Sequence, residues 1–134
     1  MNITPAGTRP TNSAPAAYFT GNVQVGWIID APQSERVRMG IVSFEPGART
    51  VWHTHPLGQA LYILSGTARV QSWGGPVAEL REGDTVWFAP GEKHWHGAGP
   101  DAAMTHLAIQ EVLEGKTADW LEMVSEGEYG VVAK

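Results

Sequence analysis

The sequence predicts an all-β barrel or sandwich, and three observations lead there. From Phe19 onward the chain runs as short stretches rich in β-branched and aromatic residues, many of them alternating with polar ones. Turn-forming clusters break these stretches at short intervals, among them Glu45-Pro46-Gly47, Pro56-Leu57-Gly58, Gly74-Gly75-Pro76, Glu82-Gly83-Asp84 and Gly99-Pro100-Asp101. Only the end of the chain changes character. Strands this short cannot bury their apolar faces alone and must close on one another.

Taken in order, residues 1–18 are rich in Pro, Ala, Thr and Asn and have no period, so they read as an extended arm that in an oligomer could lie across a neighbour. Residues 19–134 then form a single domain. Within it strands are expected at 23–29, 37–44, 50–53, 60–65, 67–73, 77–80, 85–89, 94–97 and 104–111. The segment 117–125 places Trp120, Leu121 and Val124 among polar residues, which predicts a short amphipathic C-terminal helix with Asp119 and Glu122 near its positive end.

A chain of 134 residues buries roughly 65 to 70% of its unfolded surface and can fold on an apolar core. It has no cysteine, which excludes disulfides, zinc-thiolate sites, iron-sulfur ligation and thiol nucleophiles. A cytoplasmic setting is the default expectation. Neither a signal peptide nor a run of about 20 apolar residues is present at the start, so no membrane association is expected. Nine Lys and Arg against 14 Asp and Glu leave a net charge of -5, which repels a phosphate backbone, so no nucleic acid is expected either. The expected partners are a small-molecule substrate and further copies of the chain, as a dimer or tetramer.

The five histidines fall as His53 and His55, His94 and His96, then His106. Residues i and i+2 of a strand share a face, so each pair presents two imidazoles in one direction. The turn Pro56 to Gly58 returns Gln59 beside the first pair. If the strand at His94 lies alongside, three imidazoles and one amide oxygen converge. A polar strand face or satisfied core histidines are the alternatives; buried imidazoles need partners for both nitrogens, which one metal ion supplies to several at once. A site of imidazole and oxygen without thiolate suits Mn, Fe, Co, Ni or Zn and disfavours Ca or Mg.

Gly47, His53-Thr54-His55, Gln59 and Gly66 resemble the first cupin motif, with Gln59 where most members carry Glu. Gly83-Asp84-Thr85-Val86-Trp87-Phe88-Ala89-Pro90-Gly91-Glu92-Lys93-His94 resembles the second, its proline displaced by one place and Ala98 standing where Asn is common. The resemblance implies a cupin fold, a double-stranded β-helix or jelly-roll barrel. The runs 44–59, 86–97 and 104–111 are similar, more narrowly, to small bacterial cupin hydroxynitrile lyases. That similarity implies a manganese ion, Mn(II), held by His53, His55, Gln59 and His94, with His96 and His106 lining the pocket. It also implies cleavage or synthesis of an aromatic cyanohydrin such as mandelonitrile.

A neutral amide at position 59 leaves a divalent site with a formal charge of about +2 rather than +1, favouring Lewis-acid work. His106 is the expected base, since on its strand it alternates with Ala108 and Gln110. His96 could be a second acid or base, a weak ligand, or a donor to a carbonyl at the barrel mouth. Gln110 could orient a product. Strand parity adds Gly40, Val42 and Ala108 as pocket lining. Trp52, Trp87 and Trp95 alternate with site residues and are expected to pack against a second sheet or a partner subunit, the reason for expecting an oligomer. An iron-dependent cupin dioxygenase and a non-catalytic small-molecule-binding barrel are the competing readings.

Overall fold

Alternation along the chain becomes facing in space. The computed structural model describes residues 1–130, and the last four residues of the expected domain lie outside them. In chain order the elements are β1 (Asn12–Ser13), β2 (Phe19–Thr20), β3 (Val23–Ile29), β4 (Val37–Phe44), β5 (Arg49–Thr50), β6 (His53–Thr54), β7 (Gln59–Ser65), β8 (Thr67–Ser72), β9 (Ala78–Arg81), β10 (Thr85–Phe88), β11 (His94–Ala98), β12 (Met104–Glu111), β13 (Asp119–Trp120) and α1 (Glu126–Gly130). No helix among these residues is long and apolar enough to cross a membrane.

Two antiparallel sheets form the barrel. The first runs β1-β3-β4-β12-β7-β10; the second runs β13-β6-β11-β5-β2, with β8 also beside β11 and β9 beside β8. On β12 every second residue is buried, so Met104, His106, Ala108 and Gln110 face inward. The core joins Val42, Phe44, Leu61, Ile63 and Met104 of the first sheet to Ala68, Val70 and Ala98 of the second. Each fully buried Leu, Ile or Phe contributes about 1.5–3 kcal/mol.

The expected strands are found with small shifts. The exception is 50–53, which is split into β5 and β6 because Val51 and Trp52 leave the ladder and are buried. At the amino terminus, β1 pairs with β3 of the same chain, and the Ala14 N–H donates to the Val23 carbonyl at 2.9 Å.

The C-terminal helix lies further on than the apolar pattern predicts. Asp119–Trp120 is a strand paired with β6, and the helix begins after Ser125. The Glu128 N–H donates to Ser125 Oγ at 3.1 Å, and the Ser125 N–H donates to Glu128 Oε1 at 2.9 Å. That reciprocal capping box fixes the start and outweighs the apolar spacing of 117–125.

The same segment corrects the expectation for two tryptophans. Trp52 and Trp95 are buried with Val77, Val124 and Tyr129 in a second cluster, covered by the chain's own C-terminal segment and not by a partner. Tyr129 Oη donates to the Ala98 carbonyl at 2.7 Å, and Arg49 donates to the Val124 carbonyl at 3.0 Å and stands over the Tyr129 ring. Trp87 alone of the three is exposed, at 59%.

Candidate metal centre

β11 lies antiparallel to β6 with His94 directly opposite His53, which brings the two histidine pairs together. Pro56-Leu57-Gly58 then reverses the chain: the Gly58 N–H donates to the His55 carbonyl at 3.2 Å, and Gly58 has φ +83°, a conformation that favours glycine. The Gly91 N–H donates to the same carbonyl at 3.0 Å, tying the turn before His94 to the one after His55. Gln59 follows as the first residue of β7, opposite Gln110 of β12.

The rings of His53 and His94 have centroids 4.3 Å apart, His53 and His55 5.0 Å, and His55 and His94 5.5 Å. Phe88 stacks on His94 at 3.6 Å. Each of the three imidazoles donates from Nδ1 to a main-chain carbonyl: His53 to Val51 at 2.8 Å, His55 to Thr117 at 2.7 Å, His94 to Glu92 at 2.8 Å. Such a partner sets the tautomer and leaves Nε2 as a bare lone pair.

The Nε2 atoms of His53 and His55 are buried and have no hydrogen-bond partner among the described residues. That of His94 is 3.2 Å from Gln59 Oε1, while Gln59 Nε2 donates to Gln110 Oε1 at 3.1 Å. A lone pair and a carbonyl oxygen thus face each other, two acceptors with no proton between them. Burial lowers the His94 pKa to about 4, so a ring proton does not resolve the conflict at neutral pH. A cation does, and the donor set of imidazole nitrogens and one amide oxygen fits a first-row divalent metal.

His53 is also held well below the ordinary imidazole range, by burial and by the nearby His94 and His55; burial lowers His55, partly offset by its bond to Thr117. All are neutral, the form in which imidazole ligates. His53, His94 and His96 each offer a ring nitrogen within 4.8 Å of the other two, a group that includes His96 and not the expected ligand His55. The His96 ring does not bond a carbonyl: its Nδ1 meets Nε2 of His106 at 3.1 Å. Nε2 of His96 and Nδ1 of His106 are buried without a partner among the described residues. Burial lowers the pKa of both, that of His106 to about 4.

His53, His55, Gln59, His96 and His106 border a cavity of about 360 Å³ whose lining also includes Gly40, Val42, Ala108 and Gln110, as strand parity predicts. Among the described residues no Asp, Glu, Lys or Arg lines it. Sequence reasoning missed much of the rest of its wall: Asn12 to Pro15 and Tyr18 of the arm, Phe19, Trp27 on β3, and Trp120 on β13. Trp27 was detectable, since it continues the inward series Val23, Val25. Trp120, stacked on Tyr18 at 4.7 Å, has no local signal because its position depends on a strand pairing across more than 60 residues.

Residues 40–109 match the family described as Cupin domain. The chain is 52% identical over 129 residues to the (R)-mandelonitrile lyase of Granulicella tundricola, covering 96% of this chain and 98% of that protein. Among solved structures it is similar to a cupin-like protein from Thermotoga maritima, with a TM-score of 0.82 and 38% identity over 96% of this chain and 95% of the other. It shares its fold with the polyketide cyclase RemF of Streptomyces resistomycificus, with a TM-score of 0.77 and 18% identity over 96% and 90% of the two chains.

Proposed function

The chain belongs to the cupin domain family, and from that premise we propose that it is a metal-dependent hydroxynitrile lyase. It cleaves or forms an aromatic cyanohydrin, with mandelonitrile giving benzaldehyde and hydrogen cyanide. The observation that carries this reading is the likeness to (R)-mandelonitrile lyase along nearly the whole of both chains.

Nε2 of His53, His55 and His94 with Oε1 of Gln59 would hold the ion. Mn(II) is the ion proposed; Fe(II), Co, Ni and Zn suit the same donors. A divalent cation, when bound, supplies Lewis-acid charge that favours the negative charge developing on the substrate oxygen or on cyanide.

The proton is moved by the His96 and His106 pair. With His106 Nε2–H donating to His96 Nδ1, the bare Nδ1 of His106 takes the hydroxyl proton of the cyanohydrin. The shared proton crosses to His96 Nδ1, and Nε2–H of His96 delivers its own to the departing cyanide. One proton leaves the alcohol, one arrives on cyanide, and the carbon-carbon bond breaks between them. Both rings start neutral because they are buried, as a base and a neutral donor must. A lining without charged side chains supports a neutral substrate, since a carboxylate would find no Arg or Lys to pair with.

The test is release of benzaldehyde from racemic mandelonitrile by manganese-loaded protein, with and without air. Oxygen-independent release that disappears in His53→Ala is expected. A fully metallated protein that releases none is not a lyase of this kind, and turnover that stops without air points to a dioxygenase.

A further inference from the structure

Across β3, β4 and β12 the residues Trp27, Gly40 and Ala108 stand directly opposite one another in one row. All three line the cavity. The next row, Val25, Val42 and His106, carries a full side chain at each place. Only at Gly40 is there a gap, and the indole of Trp27 lies across it: a Cβ built on Gly40 would meet Trp27 Cε3 at 3.3 Å and Cζ3 at 3.5 Å. Trp27 is 44% exposed.

Resting on the lyase reading above, we propose that Trp27, seated on Gly40, is the residue that sets the size of the aryl group this cavity accepts. Two residues along a strand span about 6.8 Å. An aryl cyanohydrin whose hydroxyl is at His106 therefore extends along the row of Ala108 and Gly40 and meets the indole. Aromatic rings favour offset or edge contacts with one another, and an uncharged lining puts no competing demand on the ring. A cavity of about 360 Å³ is at the small end of ligand pockets, so the place where the indole stops decides whether one ring or two can enter.

The experiment compares manganese-loaded wild type, Trp27→Ala, Trp27→Phe and Gly40→Ala on mandelonitrile and its naphthyl analogue. Trp27→Ala is expected to raise the naphthyl-to-phenyl ratio of kcat/KM by about tenfold or more, chiefly through KM, with metal content unchanged. Trp27→Phe should fall between. Gly40→Ala, whose Cβ would meet the indole at 3.3 Å, should lower the ratio. An unchanged ratio in Trp27→Ala overturns the proposal. Calorimetric binding of benzaldehyde and naphthaldehyde to the same proteins gives the ratio without turnover. If the wild type acts on no cyanohydrin the lyase reading fails, and a binding ratio that shifts in Trp27→Ala still supports the role of Trp27, while one that does not shift removes it.

Discussion

The three Nδ1 protons given to Val51, Thr117 and Glu92 explain why His53, His55 and His94 act together while His96 and His106 differ. A ring anchored on a carbonyl has its lone pair aimed before any ion arrives, so little reorientation is left to binding. A ring anchored on another ring can exchange which nitrogen carries the proton. Replacing His106 by Phe should therefore leave metal content unchanged and lower kcat on mandelonitrile by about 10² to 10⁴-fold, read by elemental analysis beside steady-state rates. Loss of metal in that variant would show that His106 supports the ion and not the proton. His53, His55 and Gln59, and the pair His94 and His96, are legible in the sequence because the spacing within each group is local. The carbonyl of Thr117 is not, since nothing near residue 117 marks it as a partner for position 55.

The turn between β6 and β7 carries the geometry that sets His55 and Gln59 side by side. A Cβ at Gly58 would lie 2.5 Å from the Trp87 ring and 2.8 Å from the Phe88 carbonyl, at φ +83°. The exposed indole can swing aside, but the Phe88 carbonyl belongs to a ladder paired with β7 and cannot. Gly58→Ala is expected to cost about 1–3 kcal/mol and to reduce metal occupancy, because the reversal that returns Gln59 must open. Thermal melting and metal stoichiometry check both, and a variant with unchanged occupancy would mean that Gln59 is placed by β7 and β12 alone. At this scale the strand at 104–111 has the bounds the sequence predicts, a β-rich run that follows the turn cluster Gly99-Pro100-Asp101. The helix was misplaced because Ser125 and Glu128 form a cap whose weight the apolar spacing of Trp120, Leu121 and Val124 concealed.

Gathering five neutral imidazoles into one interior makes the whole molecule sensitive to acid. In the unfolded chain each titrates near 6.5, whereas in the folded protein burial holds all five lower, His94 and His106 at about 4. Between those values the unfolded state binds more protons, so stability rises with pH. The contribution is complete above about 6.5 and is lost as pH falls toward about 4. Metal-free protein should therefore lose stability between pH 7 and 4.5 with a slope of up to about 1.4 kcal/mol per pH unit for each histidine protonated, measured by urea unfolding. A flat profile across that range would show that the rings are solvated in the folded protein.

By itself the sequence determined most of the strands, the turns and the local groupings of His53, His55 and Gln59 and of His94 and His96, because each rests on residues two to six apart, where backbone period and turn chemistry act. The tertiary structure alone decided the rest: the cover over Trp52 and Trp95, the pairing of His96 with His106, and the aromatic wall of Trp27, Tyr18 and Trp120. These join stretches tens of residues apart in the chain, and which of them meet is settled only when two sheets close on one core and every buried donor must find its acceptor.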